Sequence, residues 1–433
     1  MNKDQRLFGT SGIRRKVDDL SYEFIVDLAR SLGSYSRDKE IAVGMDTRPS
    51  SERLKKEFSD GLHLTGHDTV DLGIVPTPTL AMATERYGTG IVITASHNPP
   101  EYNGFKFWKD GRAYSLQEEK AVEKLFYTKK FRENSGGGSV RREDYIVKHI
   151  NRILENVGEV DREVRVLVDC ANGAGSVITP QLLKEMGCHV IAINTEPSGD
   201  FPHPLEPTEE NLRDVCRQVK EENVDVGIAH DGDADRSAAI DGDGKLIDWD
   251  SFLAVLAYGK GRVVTTVDAS MRIEDVCGEV IRTPVGDVSV ANGIRESGAE
   301  FGGEPSGSFI FPEVHMFPDG VLTAAKVVKL VSENRFYENL ARIIEYPTAR
   351  VKIPCLEEEK EVVMERLHGL VDGCVGEITY VDGIRIAVDG GWMLLRPSGT
   401  ESFIRITAEG RNEGSLRELV GRGRDWISEA MGD

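Results

Sequence analysis

The sequence predicts an α/β protein that ends in a C-terminal α+β domain. Its 433 residues are too many for a single hydrophobic core, so three or four domains are expected. Short apolar runs typical of strands alternate with helical patterns over most of the chain, which predicts an α/β architecture. After Tyr346-Pro347 the pattern changes to antiparallel strands with two helices.

The first predicted domain begins with a strand, a loop and a helix. The strand covers residues 41–44, and the helix covers residues 50–64, where Leu54, Phe58 and Leu62 recur at helical spacing. This unit sets the pattern that the next two domains repeat.

The domain boundaries follow from composition and from where each new strand begins. The glycine-rich stretch 136–139 is the most flexible segment, and the charged residues after it are expected to open a helix through Tyr145, Ile146 and Ile150. New series begin with strands at 164–168 and 263–267. The last region has predicted strands at 351–354, 383–388 and 403–407 and helices at 358–370 and 416–431. The predicted domains are residues 1–140, 141–243, 244–346 and 347–433.

A hydroxyl and an imidazole stand side by side directly after a predicted interior strand. Ser96 and His97 follow the apolar run 91–93, and Asn98-Pro99-Pro100 prevents a strand or helix from continuing. Ser96 is therefore expected on a sharply turned loop. A serine in such a position is often only a turn residue or a helix cap.

The residues that follow favour a chemical role for this loop. Asn103-Gly104 is typical of a tight turn, which is expected to bring Lys106 back towards Ser96. A nucleophile or phosphate carrier would gain a cationic neighbour from this arrangement.

Three carboxylates at alternate positions predict a metal site. Asp231, Asp233 and Asp235 follow a predicted strand and are separated only by Gly and Ala, so their side chains can point to one side of an extended loop. Oxygen ligands favour a hard cation such as Mg²⁺ or Ca²⁺. A site with few protein ligands leaves coordination positions for water or a phosphoryl oxygen, which suits Mg²⁺. An EF-hand loop would need Gly and Glu where the chain has Arg236 and Gly242. A plain acidic hairpin turn remains the interpretation of the nearby residues 241–244.

A third group of residues predicts an anion-binding loop near the C-terminus. A strand runs into a turn of small and hydroxylated residues flanked by two arginines, which is typical of a phosphate cradle. The candidate residues are Arg396, Ser398, Gly399, Thr400 and Arg405. The alternative is that the arginines only form surface ion pairs with Glu401 and Glu409.

A fourth segment, residues 302–308, places a carboxylate and hydroxyls on a predicted loop. Glu304 and Ser306 could hold the hydroxyl groups of a sugar there. By itself this pattern is weak evidence for a site.

These four segments, with residues 8–14 at the start of the chain, occur in the order and spacing of the α-D-phosphohexomutase family. The chain resembles phosphoglucosamine mutases and phosphomannomutase/phosphoglucomutases over its whole length. The resemblance implies an isomerase that acts as an intramolecular phosphotransferase. It also implies three similar mixed α/β sheet domains and a C-terminal α+β domain around a central cleft.

The resemblance further implies roles for individual residues. Ser96 would carry a phosphoryl group, and one Mg²⁺ per chain would be held by Asp231, Asp233, Asp235 and an oxygen of that group. A sugar bisphosphate would serve as intermediate and activator. The matching residues beside the serine are Arg14 and Lys106, as acid/base or charge-stabilising groups, and His97, which would orient the loop or contact phosphate. Arg236 would support the metal loop and contact the substrate. Glu304 and Ser306 would hold the sugar. The Arg396–Arg405 cradle would hold the phosphate that is not reacting.

The identity of the sugar depends on a few departures from the family's branches. Ser308 and the segment 267–270 differ from the mannose/glucose branch, and residues 282–287 are similar to phosphoglucosamine mutases. Residues 100–106 are closer to the mannose/glucose branch. We therefore expect interconversion of glucosamine 6-phosphate and glucosamine 1-phosphate. The alternatives are a phosphomannomutase/phosphoglucomutase, a phosphosugar phosphatase and a non-catalytic phosphosugar-binding protein.

Composition limits the partners. The net charge is −20, from 53 basic and 73 acidic residues, which argues against nucleic acid and anionic membranes as partners. The six cysteines are scattered without metal or redox spacing, as expected of buried small residues in a reducing compartment. The N-terminus lacks the apolar core of a signal peptide and no stretch is long enough to span a bilayer, so a cytoplasmic protein is expected. The expected partner is a small sugar phosphate, with a homodimer as the candidate assembly.

Overall fold

The computed structural model describes residues 6–9, 11–133, 137–373, 375–398 and 401–432. The chain forms two compact units, one of residues 1–252 with 306–338 and the other of residues 253–305 with 339–433.

The first sheet of unit 1 is mixed. Its strand order is β1-β5-β4-β2-β3-β7, with β6 beside β5; β1, β4 and β6 run antiparallel to β5, and the other pairs are parallel. The strands are β1 (Ile13–Lys16), β2 (Glu40–Met45), β3 (Asp68–Ile74), β4 (Thr89–Ile93), β5 (Tyr102–Lys109), β6 (Arg112–Ala113) and β7 (Val140–Arg142). The helices are α1 (Tyr22–Tyr35), α2 (Ser51–His63), α3 (Thr77–Tyr87), α4 (Leu116–Thr128) and α5 (Ile146–Val157).

Two local predictions in this region are wrong. Asn103-Gly104 does not form a turn, because both residues lie inside β5, which pairs with β1 on one side and β4 on the other. A Cβ at Gly104 would come within 2.1 Å of the Ile13 carbonyl oxygen, so the glycine permits close approach of two strands. The second wrong prediction is that the charged residues after the glycine-rich stretch open a helix. Arg141 and Arg142 lie in strand β7, and the helix α5 begins later, at Ile146.

The second sheet of unit 1 has the order β11-β10-β8-β9, in which only β11 is antiparallel to its neighbour. Its elements are β8 (Arg165–Asp169), α6 (Thr179–Glu185), β9 (His189–Ile193), α7 (Arg213–Glu221), β10 (Val226–His230) and β11 (Ser237–Asp241). Because β10 is buried along its whole length, the loop that leaves it lies deep in the protein.

Unit 2 contains a parallel sheet in which β12 lies between β13 and β14. The helix α8 (Trp249–Ala257) begins in unit 1 and ends in unit 2. Unit 2 continues with β12 (Arg262–Thr266), β13 (Glu279–Thr283), α9 (Asp287–Ser297) and β14 (Phe301–Gly303). The predicted loop 302–308 therefore begins inside a strand. The chain then returns to unit 1 for β15 (Phe309–Ile310) and α10 (Gly320–Ser332), and α11 (Arg335–Leu340) begins in unit 1 and ends in unit 2.

The C-terminal sheet is antiparallel throughout, in the order β16-β20-β19-β18-β17. It consists of β16 (Thr348–Pro354), α12 (Lys360–Val371), β17 (Glu377–Thr379), β18 (Ile384–Val388), β19 (Gly391–Pro397), β20 (Phe403–Gly410) and α13 (Glu413–Met431). The inward face of the sheet packs with α12 and α13 around a core that includes Ile386, Leu395, Ile406 and Leu367. The predicted α/β class and the C-terminal α+β pattern are confirmed.

Candidate active site

Ser96 lies in a strained turn just beyond the carboxyl end of β4. Its φ is +52°, a left-handed conformation that non-glycine residues rarely adopt, and its side chain is almost fully buried. Ser96 N donates to Thr94 Oγ1 over 2.9 Å, and Ser96 Oγ donates to Asp231 Oδ2 over 2.8 Å. The serine is therefore aimed at the aspartate loop, as a phosphate carrier beside a metal site would be.

Arg48 holds the serine loop by its backbone, and sequence analysis did not identify it. Its Nη2 donates to the carbonyl oxygens of Ser96 (2.7 Å) and Asn98 (2.6 Å), and its Nη1 donates to those of Pro99 (2.7 Å) and Tyr102 (2.9 Å). Arg48 is only 2% exposed and is paired through Nε with Asp46 over 3.0 Å. The only available signal was a charged Asp-x-Arg sequence directly after a buried strand.

The three predicted metal ligands do come together. One oxygen of each of Asp231, Asp233 and Asp235 lies within 4.8 Å of the others, on the turn between β10 and β11. Ala234 in the middle of this turn has a φ of +51°, so the chain reverses sharply between two of the aspartates. Asp231 and Asp233 are fully buried.

Burial and neighbouring charges shift the pKa values of two aspartates in this cluster. Burial, with the neighbouring charges of Asp235 and Asp233, raises the pKa of Asp231 well above its usual range. Burial also opposes ionisation of Asp233, but the Lys106 ammonium holds the pKa of that carboxyl below its usual range. The charge of Lys106 therefore outweighs the effect of burial at Asp233, whereas burial prevails at Asp231.

The donor set fits a hard divalent cation. Oδ1 of Asp233 and Oδ1 of Asp235 are both buried, and neither accepts a hydrogen bond from the described residues. Buried carboxylate oxygens without a partner are costly unless a cation satisfies them. Asp231, Asp233 and Asp235 would hold Mg²⁺ with oxygen ligands alone.

Lys106 lies inside this cluster. Its Nζ is 2.6 Å from Oδ2 of Asp233 and 2.6 Å from Oδ2 of Asp235, and the side chain is 6% exposed. Burial disfavours the charged amine, but the two aspartates outweigh this effect and raise the pKa of Lys106. Lys106 reaches the site along the continuous strand β5, where it pairs with Val92 of β4.

Two arginines and a histidine lie near the serine loop. Arg14 Nη1 donates to Asn98 Oδ1 over 3.0 Å, while its buried Nε has no partner among the described residues. Burial, followed by the positive charges of Arg236 and Arg14, lowers the pKa of His97 to about 3. His97 is therefore a neutral imidazole, with Nδ1 3.3 Å from Ser96 Oγ. Such a group of cations favours an anionic substrate.

Three adjacent strands supply these groups. Arg14 of β1 pairs with Gly104 of β5, Lys106 follows two residues later on β5, and β4 leads directly into the Ser96 loop. Arg236 belongs to the turn of the aspartates, where its backbone N–H faces Asp231 Oδ1 at 3.4 Å.

Ser306, one of the two residues predicted to hold the sugar, also lies in unit 1 and is half-buried.

The predicted phosphate cradle lies in unit 2. Arg396 of β19 and Arg405 of β20 are directly opposite each other in the antiparallel pair. Ser398 begins the turn between the strands and accepts a hydrogen bond at Oγ from the N–H of Glu401 over 3.1 Å. Gly399 and Thr400 lie outside the described residues.

Within the described part of the chain, neither arginine pairs with Glu401 or Glu409, although Arg396 does form a partly exposed ion pair with another carboxylate. Arg396 pairs with Asp382, and Glu401 lies 3.4 Å from Lys352. Glu409 is buried and accepts hydrogen bonds from Ser270 Oγ, Met271 N and Trp392 Nε1. Both carboxylates that were candidates for neutralising the cradle therefore have other partners.

Glu304 also lies in unit 2, just after β14. It is half-buried, and its Oε1 accepts a hydrogen bond from the N–H of Gly286 over 2.8 Å. A carboxylate held by a backbone amide has a defined direction, as contact with a sugar hydroxyl would need.

Across the described ranges, no helix is both long and apolar enough to cross a membrane. The described cysteines, Cys170, Cys188, Cys216, Cys277 and Cys355, are free thiols.

Comparison with known proteins covers nearly the whole chain. Models of the phosphoglucomutase/phosphomannomutase family match residues 5–133, 143–244 and 249–349 as α/β/α domains I, II and III, and residues 351–424 as the C-terminal domain. The chain is 45% identical to a probable phosphoglucosamine mutase of Methanopyrus kandleri, with 96% of each chain covered. It is 41% identical to a probable phosphoglucosamine mutase of Methanothermobacter thermautotrophicus, with 99% of each covered.

A solved structure supports the same assignment. The crystal structure of a phosphoglucomutase/phosphomannomutase family protein from Burkholderia thailandensis matches with a TM-score of 0.88 and 25% identity, covering 99% of this chain and 98% of that one. These matches confirm the resemblance seen in the sequence. The chain belongs to the phosphoglucomutase/phosphomannomutase family of phosphohexomutases, which are intramolecular phosphotransferases.

Proposed function

We propose that this protein interconverts glucosamine 6-phosphate and glucosamine 1-phosphate through a phosphorylated Ser96 and a bisphosphorylated sugar. The observation that carries the proposal is the hydrogen bond from Ser96 Oγ to Asp231 Oδ2, which places the hydroxyl at the acidic cluster. The relatives named probable phosphoglucosamine mutase, at 45% and 41% identity, support the amino sugar as substrate.

In the proposed reaction, the bond between phosphorus and Ser96 Oγ breaks as a bond forms between phosphorus and a hydroxyl oxygen of the sugar. The proton of that hydroxyl is released, and Ser96 Oγ regains a proton. The second half runs in reverse: the other phosphate of the bisphosphate returns to Ser96, and the isomerised monophosphate leaves. When bound by Asp231, Asp233 and Asp235, Mg²⁺ supplies charge neutralisation during phosphoryl transfer.

The surrounding residues supply binding and charge. Arg14 and Lys106 lie beside the serine loop and stabilise negative charge on the phosphoryl oxygens. The raised pKa of Lys106 favours this role over proton transfer. His97, held neutral, presents Nδ1 near Ser96 Oγ and orients the hydroxyl or phosphate. Arg236 supports the aspartate turn and contacts substrate.

The cradle in unit 2 is assigned to the phosphate that does not react. Arg396 and Arg405 lie on neighbouring strands, so two guanidinium groups can bind one anion with Ser398 and the adjoining Gly399 and Thr400. Glu304 and Ser306 are assigned to the sugar hydroxyls. The bisphosphate must use both phosphate sites in turn, because its two phosphates exchange roles between the half-reactions.

A phosphomannomutase/phosphoglucomutase is the second candidate, because residues 100–106 are closer to that branch in sequence. Selection of a 2-amino group depends on individually placed hydrogen-bond acceptors rather than on pocket size. A direct comparison of glucosamine, glucose and mannose phosphates as substrates distinguishes the two.

We also propose a cytoplasmic location and a homodimeric assembly. The free thiols fit a reducing compartment. Size-exclusion chromatography with light scattering tests the dimer.

The central experiment measures intact mass before and after incubation with glucosamine 1,6-bisphosphate, together with turnover of each monophosphate. One added phosphate that maps to Ser96, with conversion in both directions, is expected. Release of inorganic phosphate at the rate of substrate consumption would identify a phosphatase. Binding of sugar phosphate with no phosphorylation and no conversion would identify a non-catalytic binding protein.

A further inference from the structure

Asp382 joins the two groups of residues assigned to substrate in unit 2. It lies between β17 and β18 with a φ of +52°, so the chain turns sharply at this residue. Its Oδ1 accepts from Arg396 Nε over 3.1 Å, and its Oδ2 lies 2.9 Å from Arg396 Nη2. One edge of the guanidinium is therefore held by both oxygens of one carboxylate, which fixes the plane of the group.

The same carboxylate binds a second segment of the chain. Asp382 Oδ2 accepts a hydrogen bond from the N–H of Val285 over 3.1 Å. The next amide, Gly286 N–H, donates to Oε1 of Glu304 over 2.8 Å. Two consecutive amides thus connect the carboxylate that orients Arg396 with the carboxylate assigned to the sugar.

This connecting segment is well anchored. Val285 packs against a buried apolar cluster that contains Val267, Trp392 and Leu394, in the same unit. Gly286 has a φ of +127°, a conformation that side chains disfavour, so a substitution at this position would strain the segment. A shift of Asp382 would therefore move the support of Arg396 and the segment that holds Glu304.

An acidic residue beside a phosphate-binding arginine has an electrostatic cost. Its negative charge reduces the attraction of the cradle for an anion. If Asp382 acted only as a counter-charge, removing the charge would strengthen the binding of every phosphate. If it acts by orientation, removing it would weaken the binding of those ligands that need both the arginine and Glu304.

We propose that Asp382 is a positioning residue that sets the direction of Arg396 and, through the Val285-Gly286 amides, couples phosphate binding to sugar binding by Glu304. The proposal rests on the function proposed above, since it assumes that Arg396 receives the distal phosphate and Glu304 the sugar. Its consequence is selectivity: the site prefers a phosphate that carries a correctly placed sugar over phosphate alone.

The test measures binding in a Ser96→Ala background, where no turnover can occur. Dissociation constants for glucosamine 6-phosphate and for inorganic phosphate are determined by calorimetry with and without Asp382→Asn. We expect the preference for the sugar phosphate over inorganic phosphate to fall at least about fivefold. An unchanged preference, or a parallel increase in affinity for both ligands, would overturn the proposal.

Two further variants sharpen the test. Asp382→Glu keeps the charge but lengthens the side chain, so it should lose the preference as Asp382→Asn does; a wild-type preference in this variant would show that charge alone matters. It also provides a result if the asparagine variant does not fold. Glu274→Gln is the matched control, because Glu274 pairs with Arg282 over 2.6 Å in the same unit. It should leave the preference unchanged.

Coupling to Glu304 is measured with a double-mutant cycle. The losses in sugar phosphate affinity from Asp382→Asn and Glu304→Gln should combine to less than their product, because each breaks the same connection. Losses that multiply would contradict the coupling. If the protein with Ser96 intact binds sugar phosphate but shows no turnover, the proposed mutase function is wrong. The ratios of dissociation constants can still be measured in that case, so the role of Asp382 is tested separately.

Discussion

Ser96 Oγ donates a hydrogen bond to Asp231 Oδ2 over 2.8 Å, although 135 positions separate the two residues in the sequence. The contact brings the strained serine loop and the acidic turn into one centre within unit 1.

Replacing Ser96 with alanine should abolish turnover but leave sugar phosphate affinity within about tenfold, or about 1.4 kcal/mol. The serine carries the phosphoryl group in the proposed mechanism, whereas the arginines supply affinity. Steady-state assays in both directions and calorimetry check this expectation. Ser59→Ala, which alters a half-buried serine on α2, serves as control. Interconversion above background by Ser96→Ala would show that another residue carries the phosphate.

Asp233→Asn should raise the Mg²⁺ concentration needed for half-maximal activity by at least about tenfold, which corresponds to about 1.4 kcal/mol of metal binding. It should lower kcat more than it raises KM, since the acidic turn acts on the transferring group. Magnesium titrations of activity provide the measurement. Asp243→Asn, in the exposed turn after β11, should behave as wild type. Wild-type metal dependence in Asp233→Asn would exclude the cluster as the metal site.

Lys106→Gln should lower thermal stability in EDTA and increase the stabilisation gained from Mg²⁺. Removing one member of a buried ion pair leaves its partners uncompensated, at a cost of about 3–5 kcal/mol. A cation bound by the same aspartates would restore part of that loss. Calorimetric melting temperatures with and without Mg²⁺ test this, with Lys109→Gln on the same strand as control. Equal magnesium stabilisation in Lys106→Gln and the wild type would be contrary evidence.

Arg405→Ala should raise KM by about 10- to 100-fold, from the loss of a charge-assisted contact of about 1.5–3 kcal/mol. The increase should be similar for 1- and 6-phosphates, because each must present its phosphate to the cradle in turn. Kinetics in both directions, with intact mass in parallel, provide the measurement. Arg350→Ala, an exposed arginine on β16 of the same sheet, is the control. An unchanged KM, or loss of phosphate from Ser96, would rule out this loop as the distal cradle.

Arg48→Lys should reduce kcat at least about tenfold and destabilise the protein, because an ammonium cannot reproduce the planar fork that contacts four carbonyl oxygens. The serine loop would lose its fixed geometry, and phosphorylation of Ser96 should slow. The rate of phosphorylation by a sugar bisphosphate, followed by mass, is the direct measurement. Arg53→Lys on α2, an exposed arginine paired with Glu57, provides the comparison. Equal rates in the two variants would argue against the role of Arg48.

The positions of Ser96 and the three aspartates could be predicted because the signals are local. An interior strand that ends in small and proline residues places a serine at a turn, and carboxylates at alternate positions converge on one side of a loop. Strand and helix positions were also predictable, with errors of a few residues at the ends; α2, for example, covers Ser51–His63 where residues 50–64 were expected.

The remaining features depend on contacts that are distant in sequence. Asn103-Gly104 has the composition of a turn, but pairing with β1 and β4 on both sides keeps the chain extended there. Arg48 resembles a surface arginine until its acceptors, about fifty residues further along the chain, are known. Asp382 resembles an ordinary turn residue for the same reason. Local patterns can propose such residues, but only the fold identifies their partners.

The arrangement of β1, β5 and β4 has a consequence for how this enzyme can diverge. Arg14, Lys106 and the start of the serine loop belong to the consecutive strands β1, β5 and β4, and backbone hydrogen bonds keep neighbouring strands roughly 4.8 Å apart. Substitutions elsewhere on the surface of unit 1 leave this spacing unaltered. Under the proposed function, variants of this chain can therefore exchange much of the exterior of unit 1 while the spacing of Arg14, Lys106 and the serine loop stays the same.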